Sequence, residues 1–154
     1  MIWVQKHKGI IVGTISILFV MLFVYAGLTK LLASHLFYDS ILNSPVLGGR
    51  TMATLTSWTL PLSELAVALL LVWPRTRLTG LYGAMGLMLL FTGYTVAIVY
   101  FAPYMPCSCG GVISLLSWEQ HLVLNLVLLL LVIMAIMLHH HYSTLSFGNS
   151  SKNP

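Results

Sequence analysis

Residues 9–32 read GIIVGTISILFVMLFVYAGLTKLL. The stretch carries one charged side chain, Lys30, near its end. A helix needs about 20 predominantly apolar residues to cross the hydrocarbon core of a bilayer. The segment before it, with Lys6, His7 and Lys8, has the basic character of a signal-peptide start. The apolar run exceeds the usual signal h-region of about 7–15 residues, and no A-x-A-like site closes it, so it reads as a first membrane span. Lys30 then reads as a lysine snorkelling to the interface.

Further apolar runs lie at about 54–73, 78–101 and 118–138, the last read as capped by Ser117 with Glu119 in its first turn. Hydrophobic residues make up 58% of the chain and charged residues 6%, too few charges to cover a water-soluble domain of this size. The fold class predicted is all-α: an integral membrane four-helix bundle dissolved in the lipid bilayer. It forms one domain over residues 1–142, with 143–154 as a disordered tail. Between the first two spans, Phe37/Ile41 and Tyr38/Leu42 are spaced as helical neighbours. This predicts a short interfacial helix, capped by Ser34 and stopped by Pro45, Gly48 and Gly49. Gly80, Gly83 and Gly86, with Gly93 beyond, predict a face on the third span for close helix packing.

The net charge of +4 is split between loops and carries topology information rather than a nucleic-acid footprint. Four spans put both termini on one side, with Lys6, Lys8, Arg75, Arg77 and Lys152. The other side has Arg50, the interfacial Lys30, and no Lys or Arg in the loop after the third span. The positive-inside bias therefore predicts cytoplasmic termini in a bacterial inner membrane, with that loop facing the periplasm or its equivalent.

The loop, residues 102–117, holds the chain's two cysteines in the order Pro106, Cys107, Ser108, Cys109, Gly110, Gly111. Its predicted compartment is one where disulfides persist. A bridge across one residue closes a strained ring and adds little stability, so a bond between these cysteines favours exchange over bracing. Three readings stand side by side: a redox dithiol, a soft-metal site in which two thiolates and Met105 hold Cu(I), and two inert thiols. With one thiol pair the chain is one station at most in a relay. Its electrons must pass to or from a separate dithiol protein or a lipid-soluble carrier. His121, just after the loop, is a candidate for stabilising a thiolate; equally, it reads as hydrogen-bonded to Asn125 or another helix. His139, His140 and His141 read as a helix end favoured by the dipole rather than as a metal run.

Within the second span, Pro61 precedes Glu64 by three residues. An ionisable residue deep in a span is costly and marks a functional candidate. The other reading is a protonated carboxyl hydrogen-bonded to a neighbouring helix. Glu64 is expected to face the bundle interior and to be mostly protonated, the alternative being an ionised carboxylate paired with a cation such as Lys30.

Several segments together resemble the MauE family of methylamine-utilisation membrane proteins, within the larger DoxX-like group of four-helix membrane proteins. They are Tyr25-Ala26-Gly27-Leu28-Thr29-Lys30-Leu31, Ser44-Pro45, Pro61-Leu62-Ser63-Glu64-Leu65, Trp73-Pro74-Arg75-Thr76-Arg77, Gly80-Leu81, Phe91-Thr92-Gly93-Tyr94 and the cysteine loop. Members more often carry Cys-Gly-Cys-Phe-Gly in that loop; here Ser108 stands at the middle position and a glycine where they have Phe. The resemblance implies a redox-associated accessory role in disulfide formation, during maturation of an extracytoplasmic protein, alongside a thioredoxin-like partner. It does not imply that the chain handles methylamine. The wider group also keeps a quinone in view as electron acceptor. The alternative function is a non-catalytic membrane subunit or small-solute carrier centred on Glu64.

Overall fold

The computed structural model describes residues 2–103 and 117–150, with side chains for 9–103 and 117–140. The described helices are α1 (Ile2–Leu32), α2 (Ser34–Leu42), α3 (Arg50–Val72), α4 (Arg77–Phe101) and α5 (Trp118–Ser150). Among the described residues, four stretches are long and apolar enough to cross a membrane: Gly9–Leu32, Arg50–Val72, Arg77–Phe101 and Trp118–His140. The chain is a multi-pass helical membrane protein, as composition and run length require.

Two boundaries differ from those read in the sequence. α3 begins at Arg50, because the Ala53 N–H already donates to Gly49 O at 2.9 Å. α5 continues to Ser150, past the expected end of the domain at 142. No proline interrupts residues 118–150, and a helix continues where nothing stops it. Of the expected disordered tail, residues 151–154 lie outside the described residues.

The spans form a ring: α1 packs on α3, α3 on α4, α4 on α5, and α5 back on α1, while α2 lies against α3. Phe19, Phe23, Leu71, Leu81, Val132 and Ala135 fill the centre. Leu32, Phe101, Leu130 and Met137 point outward, which suits contact with lipid tails.

Lipid is as apolar as the core, so close backbone approach rather than water exclusion holds the helices together. Three glycines mark such approaches. A Cβ on Gly27 would stand 3.1 Å from Leu65 Cγ and 3.2 Å from the Pro61 carbonyl oxygen, so α1 presses directly onto α3. A Cβ on Gly80 would meet the Leu71 backbone nitrogen at 2.9 Å, and one on Gly83 would meet Val67 Cγ2 at 2.8 Å. Gly86 and Gly93 have nothing within 4 Å and take no part in the packing face expected of them. Gly80→Ala should destabilise the bundle by about 1–3 kcal/mol, because backbone must move. Gly86→Ala should be neutral or stabilising by up to about 1 kcal/mol through helix propensity. Unfolding midpoints in a mixed-micelle denaturant titration check the contrast, and equal effects at both positions would refute it.

The short helix α2 forms where its spacing predicts, with different ends. Ala33, not Ser34, is the N-cap residue, and no side chain caps the helix. Asn43 closes it, its amide donating from Nδ2 to Asp39 O at 2.8 Å. The chain then turns on Ser44, whose Oγ accepts from the Val46 and Leu47 N–H groups, each at 3.3 Å. The same oxygen lies 3.0 Å from the Tyr94 hydroxyl, tying this connection to α4.

A buried polar layer beneath the thiol loop

The third and fourth membrane helices deliver the thiol loop. α4 ends at Phe101 and α5 starts at Trp118. The start of α5 is a capping box: the Gln120 N–H donates to Ser117 Oγ at 3.2 Å, and the Ser117 N–H donates to Gln120 Oε1 at 3.0 Å. Ser117 caps as its type suggests; its reciprocal partner is Gln120, the third residue of the helix, where the capping-box pattern places Glu or Gln. Cys107 and Cys109 lie outside the described residues.

Below the loop the bundle is polar at its centre. Lys30 Nζ donates to Glu64 Oε1 at 2.6 Å, with the Glu64 side chain fully buried and that of Lys30 17% exposed. Lys30 does not snorkel to the interface; it turns into the bundle. Helix geometry explains how residues of different depth meet. Gly27 lies level with Pro61 and Leu65, so Lys30 sits about one turn nearer the loop end than Glu64. Helical side chains lean toward their own N-terminus. α1 ends at the loop end and α3 begins there, so Lys30 leans inward and Glu64 leans outward. An ammonium with no carboxylate here, or the reverse, would leave a charge buried in the bilayer interior, the costliest arrangement available.

Aromatic rings complete the ammonium's surroundings. Lys30 Nζ stands 5.8 Å from the Phe37 ring centroid and 5.4 Å from that of Phe91, within cation–π range. Phe37 comes from α2, which gives the interfacial helix a role at this layer. One turn from Phe91, Thr95 accepts from Asn125 Nδ2 at 3.2 Å and donates to Phe91 O at 2.7 Å. Asn125 thus bonds across to α4, not to His121. His121 is half-buried, within electrostatic range of Lys30, and its Nδ1 has no hydrogen-bond partner among the described residues. Glu64 Oε2 is likewise buried without one.

Of the residues singled out in the sequence, Glu64 and His121 therefore share one end of the bundle. Glu64 faces the interior as expected, with Lys30 as its partner. Phe37, Phe91, Thr95 and Lys30 were not singled out as site residues. A signal for Lys30 was available: it and Glu64 are opposite charges placed inside apolar runs, and each is the other's cheapest compensation.

The layer lies close to both ends of the thiol loop. Thr95 precedes Ala102 by seven residues, about 10 Å of helix, and His121 follows Ser117 by four, about 6 Å. A family model described as methylamine utilisation protein MauE matches residues 8–138, a stretch that includes Lys30, Glu64, both cysteines and His121. No curated protein and no solved structure matches the chain.

Proposed function

The chain belongs to the MauE family, and from that premise we propose that it is a membrane redox accessory protein working by dithiol–disulfide exchange at Cys107 and Cys109. The observation that carries this reading is the polar layer: a buried ion pair, and an imidazole whose Nδ1 has no hydrogen-bond partner among the described residues, lie near the helix ends that flank the thiol segment. The partner is a thioredoxin-like protein on the loop side, which in turn supports disulfide formation in an extracytoplasmic protein. A thiolate of the partner attacks the Cys107–Cys109 disulfide. One sulfur leaves as thiolate, and the mixed disulfide resolves onto the partner's second thiol. The partner becomes a disulfide, and this chain becomes a dithiol carrying two electrons and two protons. Resetting the pair needs an acceptor of both. A lipid-soluble quinone, reduced to the quinol, balances the step. Its carbonyl oxygen needs a hydrogen-bond donor beside aromatic surface, and Lys30 between Phe37 and Phe91 fits that need. His121 stands where a proton can be held between the loop and this layer.

Replacing both cysteines by serine in cells should leave the thioredoxin-like partner reduced, read by alkylation and mass shift. An oxidised partner in the double variant would favour the second reading, a non-catalytic subunit or small-solute carrier built around the Lys30–Glu64 pair. The orientation carries its own expectation. In intact cells, after mild reduction, a membrane-impermeant maleimide should label Cys107 and Cys109. Labelling only after permeabilisation would put the loop on the cytoplasmic side and remove the oxidising compartment.

A further inference from the structure

At the end of the bundle away from the thiol loop, α4 begins beside the last membrane turn of α5. The Tyr82 hydroxyl lies 3.0 Å from His140 Nε2, with the rings edge to face at 6.4 Å. Arg77 is the first residue of α4, and its charge reaches His139. Arg77 Nε and His139 Nδ1 are both buried and have no hydrogen-bond partner among the described residues. A desolvated guanidinium N–H without an acceptor is uncompensated.

The chain has no side-chain carboxylate to supply that acceptor. Its three acidic residues are Asp39, Glu64 and Glu119. Asp39 lies in α2 and Glu119 in the first turn of α5, both at the thiol-loop end, and Glu64 is held by Lys30. A phosphate from outside the chain would supply such an acceptor. The depth of the cluster says from where. Two membrane spans meet here, at Val72 and Arg77, and a third ends at His140, so the cluster stands at headgroup level. Trp73 and Tyr82 flank them, 58% and 45% exposed, in the manner of interfacial aromatic residues. Arg75 adds a further exposed cation. The guanidinium fork matches two phosphate oxygens. A zwitterionic lipid would also bring an ammonium, for which no carboxylate is at hand.

We propose that Arg77, His139 and His140 form a binding site for the phosphate of an anionic glycerophospholipid, with Trp73 and Tyr82 against its glycerol and upper acyl segments. The site lies at the far end from the thiol chemistry and does not depend on it. Its role is to hold the α3–α4 turn and the end of the fourth span at one depth.

The test uses the purified full-length protein and native mass spectrometry with equal amounts of phosphatidylglycerol and phosphatidylcholine. The wild type should retain phosphatidylglycerol over phosphatidylcholine by at least about fivefold, the effect of one interfacial cation. Arg77→Gln should remove most of that preference. Arg50→Gln, a cation at the other end, should keep it. Equal retention of the two lipids by the wild type would overturn the proposal even if Arg77→Gln failed to fold. Displacement of phosphatidylglycerol by inorganic phosphate at comparable concentration would overturn the lipid as occupant.

Discussion

Lys30→Met should destabilise the bundle by about 3–5 kcal/mol, the cost of stranding one member of a buried ion pair. Glu64 is then a fully buried carboxyl with neither oxygen partnered among the described residues. Lys30→Met combined with Glu64→Leu should recover most of the loss, because two apolar side chains leave no buried charge. Glu64→Gln should cost less than Lys30→Met. The glutamine carbonyl still accepts from the ammonium, and Lys30, unlike Glu64, retains some exposure. Unfolding midpoints in mixed micelles for the three variants provide the measurement. A double variant no more stable than Lys30→Met would show that the pair contributes packing rather than charge compensation. The double variant has a second use. If it folds yet no longer re-oxidises its thiols, the pair serves the chemistry as well as the fold.

Cys107 and Cys109 should form an intramolecular disulfide with a midpoint above about −300 mV, the range of labile rather than structural bonds. Closing a ring across the one-residue spacing strains the bond, and strain raises the potential. Equilibration of the purified protein with glutathione buffers, followed by alkylation and mass shift, gives the midpoint. A lower value would mark a bracing bond, and failure to form the disulfide would end the exchange reading. A thioredoxin-like partner that has lost its second cysteine should attack the Cys107–Cys109 disulfide and remain on Cys107 as a mixed disulfide, with Cys109 leaving as thiolate, located by peptide mass spectrometry. Attachment at Cys109 in its place would reverse which sulfur is attacked.

The thiol loop was legible as a candidate because its chemistry is local: two cysteines, two prolines and two glycines within nine residues. The Lys30–Glu64 pair stood in the sequence only as the alternative to a protonated Glu64, because it joins residues 34 apart through the contact of Gly27 with Pro61 and Leu65. Judged by distance from the span ends, the two stood at different depths. Only the opposed lean of side chains on antiparallel helices brings them together.

The sequence by itself determined the number of spans, their bounds to within a few residues, and the helical start at Ser117. Each of these follows from run length, apolarity and a short-range capping pattern. The rotation of each helix about its axis was decided only by the tertiary structure. In a soluble helix, water marks the outward face. Here lipid and core are equally apolar, so hydropathy does not distinguish Gly80 and Gly83, which pack on α3, from Gly86 and Gly93, which do not. The same indifference hid the polar layer: which of Lys30, Glu64, Thr95, His121 and Asn125 face one another depends on how four helices are turned, and that is settled by steric fit between them.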